Sequence, residues 1–163
     1  MIKYRRSFLW LLALAALAAT QANAQVLSGD ALKKLVPSTY FFAGQAAAVQ
    51  ARNSVALKAG NHYVLAGFVD TSGYSTAIQE KYQGFFITEA RLTFDGATLE
   101  PGQYGFGFKE GKFLVMNVAS TDLFSVATKA DDALKHPVPL KLEKDGEGYR
   151  LYAGRNYVSF KAE

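Results

Sequence analysis

The chain has 163 residues, of which 50% are hydrophobic and 20% charged, and it contains no cysteine. This composition excludes collagen-like, coiled-coil and disulfide-scaffold proteins and argues against a wholly disordered chain. Three of the 18 basic residues and none of the 14 acidic residues lie in residues 1–24, so the rest of the chain is close to neutral. A near-neutral domain lacks the basic surface that a phosphate backbone requires, so we expect no nucleic-acid partner.

The first 24 residues have the three parts of a secretory signal peptide. Met1–Arg6 is basic, Phe8–Ala19 is an apolar run of twelve residues, and Ala22 and Ala24 supply the small side chains that signal peptidase recognises. The apolar run is too short to span a bilayer, which takes about 20 residues. We therefore predict cleavage between Ala24 and Gln25, a mature chain without a membrane span, and a periplasmic or extracellular location.

Two arginines in the basic part leave two export routes open. The stretch Arg5–Leu9 resembles the twin-arginine export motif, in which two arginines and one further residue precede Phe-Leu. Tyr4 and Trp10 depart from that motif, and the strongly apolar run that follows is typical of the Sec route. We favour the Sec route and keep the twin-arginine route as the alternative.

Residues 25–163 are predicted to form a single all-β domain. A short N-terminal helix is expected within Gln25–Val36, where Asp30 provides a cap and Pro37 a stop. A short connecting helix is expected from the capping-box sequence at Thr128–Asp131 to Lys135. The predicted strands are Thr39–Ala43, Ala47–Arg52, Ser54–Lys58, His62–Val69, Tyr82–Thr88, Arg91–Phe94, Gln103–Lys109, Lys112–Val118, Leu123–Ala127, Val138–Lys144, Tyr149–Ala153 and Tyr157–Lys161.

Short strands separated by Gly-containing turns, with no long helix between them, predict an antiparallel β-sandwich. A small closed β-barrel is the alternative. The absence of cysteine means that the domain is stabilised by its core rather than by disulfides, and about 140 residues suffice for such a core.

Two hairpins are predicted in register. A two-residue turn at Glu110-Gly111 pairs Phe108 with Phe113 and Phe106 with Val115 on one face. On the other face it pairs the glycines at 105 and 107 with Met116 and Leu114. A four-residue loop at Asp145–Gly148 pairs Leu142 with Leu151 and places Glu143 opposite Arg150 as a charge pair.

The motifs that would indicate catalysis or metal binding do not occur in the sequence. It has no nucleophile elbow, phosphate-binding loop or zinc-protease helix, and its two histidines, His62 and His136, are far apart. A triad of Ser72, His62 and Asp70 is conceivable, but nothing in the sequence orients the base. We expect no catalytic residue, no metal and no cofactor, and hence no enzyme.

Aromatic residues give the strongest indication of a binding site. Eleven Phe and eight Tyr follow residue 24. Phe85 and Phe86 place aromatic rings on both faces of one strand, and another strand carries three aromatic residues on one face and two glycines on the other. The candidate ligand-binding residues are Tyr74, Tyr104, Gly105, Phe106, Gly107 and Phe108.

Each candidate feature has a second interpretation. The aromatic strand forms either the wall of an apolar cavity, with its glycines leaving space, or simply the core. Tyr74 lies in the polar stretch Asp70–Thr76, which is either a binding loop or a solvated turn.

The sequence is compatible with three functions, in decreasing order of preference. The first is a non-catalytic module that binds an apolar or aromatic small ligand, or a peptide. The second is a structural or interaction protein that docks to a cell-envelope partner through an exposed aromatic patch. The third is a hydrolase. The sequence does not define the oligomeric state.

Overall fold

Two antiparallel sheets packed face to face make up the described part of the chain. The computed structural model describes residues 24–163. Apart from Ala24, the predicted signal peptide and its twin-arginine alternative lie outside these residues. Across the described range, the two sheets end in separate edge strands. The predicted sandwich is therefore confirmed, and the closed barrel is not the fold that these residues form.

The larger sheet has eight strands, seven of which lie side by side. In spatial order these seven are β1 (Gln25–Leu27), β3 (Gln45–Ala59), β4 (His62–Val69), β5 (Gly84–Thr88), β8 (Gly102–Lys109), β9 (Lys112–Asn117) and β10 (Asp122–Ala127). The eighth, β2 (Thr39–Phe42), pairs with the first part of β3, whereas β1 pairs with its last part. Both lie along the edge of β3 that faces away from β4.

The smaller sheet has six strands. Its main path is β12 (Leu140–Asp145), β13 (Gly148–Ala153), β14 (Asn156–Ala162), β6 (Leu92–Phe94) and β7 (Ala97–Leu99). The two-residue strand β11 (Lys129–Ala130) also pairs with β14.

Phenylalanine rings fill the space between the sheets. Phe86, Phe106 and Phe113 from the larger sheet meet Phe94 and Phe160 from the smaller one, and all five are buried. The ring centroids of Phe94 and Phe113 lie 5.6 Å apart, and those of Phe86 and Phe160 lie 6.4 Å apart. Aromatic packing of this kind buries a large apolar area and stabilises the sandwich without disulfides.

The outer face of the larger sheet carries a second core. The β2–β3 hairpin covers this face, together with the short helices α1 (Gly29–Lys33) and α2 (Thr76–Gln79). Its largest buried members are aromatic: Tyr40, Phe42, Tyr74, Tyr82 and Phe85. The central strands β4, β5 and β9 are therefore covered on both faces, and their sequences are nearly continuous apolar runs.

The short N-terminal helix is confirmed, because α1 lies within Gln25–Val36, after a strand at residues 25–27 that pairs with β3. Its N-cap is Ser28 rather than the predicted Asp30, which lies in the first turn. The connecting helix predicted up to Lys135 is wrong: residues 129–135 form β11 and turns. The carboxylate of Asp131 accepts hydrogen bonds from the Tyr152 hydroxyl at 3.1 Å and the Ala133 amide at 3.2 Å, so tertiary contacts hold this segment. A helix forms instead at Thr76–Gln79, which the sequence placed in a loop.

Both hairpin registers are confirmed. Phe108 pairs with Phe113, and Glu110 and Gly111 adopt positive φ angles of 50° and 72°, as a two-residue hairpin turn requires. In the other hairpin the turn is shorter than predicted, since Asp145 pairs with Gly148, but the register is unchanged.

One predicted contact within this second hairpin does not form. Glu143 and Arg150 are cross-strand neighbours, but they do not pair with each other. Arg150 binds Asp145 at 2.8 Å, and Glu143 binds Lys141 at 2.9 Å.

Candidate functional site

The six candidate residues do not form one site. The side chains of Tyr104, Phe106 and Phe108 contribute to the packing between the sheets, and Phe106 is fully buried there. Gly105 and Gly107 lie on the opposite face of β8, under the second core. Of the six, Phe108 lines the surface cleft described below.

The space beside both glycines is filled. A Cβ atom at Gly105 would overlap the ring of Phe42, and one at Gly107 would overlap the backbone carbonyl of Lys81. These glycines therefore allow the β2–β3 hairpin and the end of the α2 segment to approach the sheet closely.

Tyr74 is a packing residue within the second core. Its ring contacts Phe42 and Tyr82, with centroid distances of 6.2 Å and 5.3 Å, and only 6% of the residue is exposed. Its hydroxyl donates to the carbonyl of Gln45 at 3.3 Å. Burial raises the pKa of this hydroxyl above its ordinary value. Tyr74 thus connects the polar loop at 70–75 to the β2–β3 hairpin.

A cleft of about 440 Å³ opens where one end of the larger sheet meets the β13–β14 turn. This volume falls within the range of small-molecule sites. Half-buried Phe68 and Phe108 supply its aromatic surface. The full lining consists of Gln50, Phe68, Val69, Thr71, Gln83, Phe108, Ala153 and Asn156.

Gln83 fixes the position of Phe108. Its side-chain oxygen accepts from the Phe108 amide at 2.9 Å, and its side-chain nitrogen donates to the Phe108 carbonyl at 3.2 Å. The backbone of Gln83 also bonds to the amide of Val69 and to the carbonyl of Phe106. One residue thus connects the ends of β4 and β8, which carry the two aromatic rings of the cleft.

Gln50 and the polar loop form another wall. The side chain of Gln50 donates to the Val69 carbonyl at 3.2 Å and accepts from Asn53 at 2.7 Å. In the loop, the Asp70 carboxylate accepts from the Ser72 amide at 3.0 Å, which holds the pKa of this carboxyl below its usual value. This local turn places Thr71 at the cleft.

The cleft carries no formal charge, because none of its eight lining residues is acidic or basic. Among the described residues, the Asn156 amide and the Thr71 hydroxyl have no hydrogen-bond partner, so both are available to a ligand. Aromatic rings together with a free amide and a free hydroxyl suit a neutral molecule that has a flat apolar face and polar groups at its edge.

Sequence reasoning missed Gln50, Phe68, Gln83 and Asn156 as parts of this site. Phe68 gave a usable signal, because it is an aromatic residue near the end of an apolar strand, just before a polar loop. Gln83 gave a weaker one, as a lone amide between apolar residues. No local pattern indicates that Asn156 lies opposite these residues.

The conceivable catalytic triad is not assembled. His62 begins β4 and Asp70 follows the end of this eight-residue strand, which at roughly 3.3 Å per residue separates them by about 25 Å. Ser72 lies close to Asp70, since its amide donates to the Asp70 carboxylate, and is therefore also at the far end of β4 from His62. Among residues 24–163, no group of three or more His, Asp or Glu side chains is arranged to hold a metal ion.

Comparisons of the chain with protein-family models, curated proteins and solved structures gave no match. No helix formed by residues 24–163 has both the length and the apolar character needed to cross a membrane. The fold and the cleft thus define a two-sheet β-sandwich with an uncharged, partly aromatic surface cleft.

Proposed function

We propose that this protein is a binding module that holds a neutral small ligand in the cleft between Phe68 and Phe108. The observation that carries this proposal is the meeting of two half-buried aromatic rings with free polar groups in one uncharged cleft. The ligand stacks on the rings and forms hydrogen bonds with Asn156 and Thr71.

A surface cleft supports binding better than an internal cavity does. The inner space at Gly105 and Gly107 is occupied by the protein's own atoms, so an apolar ligand would have to displace Phe42 or the Lys81 backbone. The cleft at Phe108 needs no such rearrangement. Preformed sites avoid the free-energy cost of ordering or moving protein segments on binding.

We propose reversible binding without chemistry. The lining offers amides and one hydroxyl, and it contains no carboxylate, imidazole or ammonium group to act as an acid or base. We also propose that residues 25–163 form one exported domain that acts in the periplasm or outside the cell. In support of this, β1 begins at Gln25, the first residue of the predicted mature chain.

A neutral fluorescent probe tests this proposal. N-phenyl-1-naphthylamine should fluoresce on binding to the purified protein and should raise its unfolding midpoint in proportion to the logarithm of probe concentration. Phe108→Ala should weaken binding of the probe about tenfold, because the variant loses most of an aromatic contact surface.

Leu123→Ala is the matched control, because Leu123 is a half-exposed apolar residue at the end of β10 far from the cleft. This variant should bind the probe like the unaltered protein. Equal weakening in both variants, or no binding at all, would contradict the proposal.

An interaction protein is the second candidate, supported by an exposed patch on the β2–β3 hairpin. Phe41 is 59% exposed, and its cross-strand partner Ala46 and nearby Ala48 are also exposed. Exposed Val118 lies beside the hairpin, since its carbonyl accepts from the Ala43 amide at 2.7 Å. Concentration-dependent self-association that Phe41→Ser abolishes, without probe binding, would favour this candidate.

A further inference from the structure

A second large cleft lies between α1 and β3, and it shares no lining residue with the Phe68–Phe108 cleft. Its volume is about 530 Å³, and its lining combines residues of α1, the segment that follows it and the middle of β3. The apolar part of the lining consists of Leu32, Val36, Pro37, Val49 and Ala51. We call this cleft the α1–β3 groove.

The groove exists because the middle of β3 has no neighbouring strand. On one edge, β2 pairs with β3 up to Ala48 and β1 pairs from Ala56 onward. On the other edge, the pairing with β4 shifts between Val49 and Ser54. Residues 50–53 therefore bulge out of the sheet, and residues of α1 line the groove together with this bulge.

The groove has two cationic side chains beside its apolar residues. Arg52 and Lys33 both line it. Lys33 is 3.4 Å from Asp30, but both side chains are almost fully exposed, so this pair is weak. Among the described residues, Arg52 is exposed and has no carboxylate within ion-pair distance. The groove thus combines apolar surface with an unneutralised guanidinium.

Two other clefts differ in this respect. The cleft at the smaller sheet has a similar volume, about 450 Å³, but carboxylates outnumber cations in its lining: Asp95, Asp145 and Glu147 against Lys129 and Lys161. Lys161 is also paired with Glu147 at 3.2 Å, so this cleft does not favour an anion. The Phe68–Phe108 cleft has no charge at all. Of these three, the α1–β3 groove is the one suited to an anion with an apolar tail.

We propose that the α1–β3 groove binds the anion of a fatty acid. The acyl chain lies on Leu32, Val36 and Val49, and the carboxylate pairs with Arg52. A guanidinium forms paired, charge-assisted hydrogen bonds with a carboxylate, and a single such group matches one monovalent headgroup. This site is independent of the neutral-ligand function proposed above.

Titration calorimetry with decanoate, below its micelle concentration, and with 1-decanol tests this proposal. The two probes are both straight chains of ten carbon atoms, and they differ in headgroup charge. Decanoate should bind the purified protein about tenfold more tightly than decanol. Arg52→Gln should remove that difference, and it should leave the fold intact because Arg52 is exposed.

Two further variants separate this groove from the other cleft and from non-specific attraction. Lys112→Gln, at an exposed lysine outside the groove, should leave the affinity for decanoate unchanged. Phe108→Ala should also leave it unchanged. Loss of decanoate binding in Phe108→Ala would place the fatty acid in the Phe68–Phe108 cleft and overturn the proposal. The neutral-ligand function would still be decided by its own test with N-phenyl-1-naphthylamine.

Other outcomes would also overturn the proposal. These are equal affinity for decanoate and decanol, retention of the preference in Arg52→Gln, or no binding of either probe. Two alternative occupants are tested in the same way. If an acidic extended peptide binds and decanoate does not, the groove is a peptide site. If the protein dimerises and Arg52→Gln abolishes the dimer, the groove binds a second copy of the chain.

Discussion

The ring of Phe42 fills the space beside the α-carbon of Gly105, where a side chain at position 105 would otherwise lie. The ring of Tyr82 stacks on the ring of Phe42, and the two ring centroids are 3.8 Å apart. These contacts fix the β2–β3 hairpin against the larger sheet. The glycine on β8 therefore serves packing between layers rather than ligand access.

Gly105→Ala should destabilise the protein by about 1 to 3 kcal/mol, since the added methyl group overlaps a fully buried ring. Urea unfolding measures this difference. Phe42→Leu in the same chain should relieve part of the overlap, so the two substitutions together should destabilise less than the sum of the single variants. Additive effects would show that Phe42 and Gly105 are not coupled.

Gly107→Ala should destabilise more than Gly105→Ala. The added Cβ meets the backbone carbonyl of Lys81, which moves less easily than the edge of a ring. The same urea experiment compares the two variants. Equal or smaller destabilisation in Gly107→Ala would mean that the Lys81 segment is not held tightly against β8.

Tyr82→Phe should stabilise the protein by about 1 kcal/mol. The Tyr82 hydroxyl is buried and makes no well-formed hydrogen bond among the described residues, although the Tyr74 hydroxyl lies close enough to interact with it. Such a poorly paired buried group opposes folding. Tyr74→Phe provides the contrast, because the Tyr74 hydroxyl bonds to the Gln45 carbonyl and its loss should be neutral or destabilising. Thermal and urea unfolding of both variants show which of the two is more stable. Destabilisation by Tyr82→Phe would show that its hydroxyl is satisfied.

The protein should lose stability in alkaline solution. Burial raises the pKa of Tyr40 and Tyr82 above their ordinary value, so both remain protonated in the folded state. The contribution of these two protonated hydroxyls to the free energy of unfolding is fully present below about pH 10, the pKa of tyrosine in the unfolded chain. It is lost as the pH rises further, by up to about 1.4 kcal/mol per pH unit for each tyrosine. Unfolding free energies at about pH 9 and about pH 11 measure this loss.

Tyr82→Phe is the control for this pH effect, because it removes one of the buried hydroxyls whose pKa is raised. The variant should lose less stability between the same two pH values. An unaltered pH dependence in the variant would assign the alkaline loss to other groups.

Gln83→Leu should weaken both the fold and the probe binding. The substitution removes the two side-chain bonds that hold the Phe108 backbone, at a cost of roughly 1 to 3 kcal/mol. Binding of N-phenyl-1-naphthylamine should fall because Phe108 loses its fixed position. Unchanged probe affinity in a folded Gln83→Leu variant would show that the cleft does not depend on this anchor.

Local features of the sequence were sufficient for the β8–β9 hairpin. A two-residue turn at Glu110-Gly111 sets the register, so the pairing of Phe108 with Phe113 follows directly. The alternation of aromatic residues and glycine on β8 likewise predicted which side chains share a face. These relationships depend on residues close together in the chain.

Features set by distant residues could not be predicted in this way. The atoms that fill the space at Gly105 come from Phe42, on a hairpin 63 positions earlier in the chain. The segment at 129–135 has a good capping box, but pairing with β14 and the bond from Tyr152 to Asp131 override its helical preference. For the same reason, sequence reasoning found Phe108 but not its cleft partners Gln50 and Asn156.

The most direct test of the proposed function is to map probe contacts by the amide shifts of the ¹⁵N-labelled protein. Titration with N-phenyl-1-naphthylamine should shift the backbone amides of Phe68, Thr71 and Phe108 and the side-chain amide of Asn156, and should leave the outer face of the smaller sheet unchanged. Shifts confined to the β2–β3 hairpin around Phe41, or no shifts at saturating probe, would contradict a ligand site at Phe68 and Phe108.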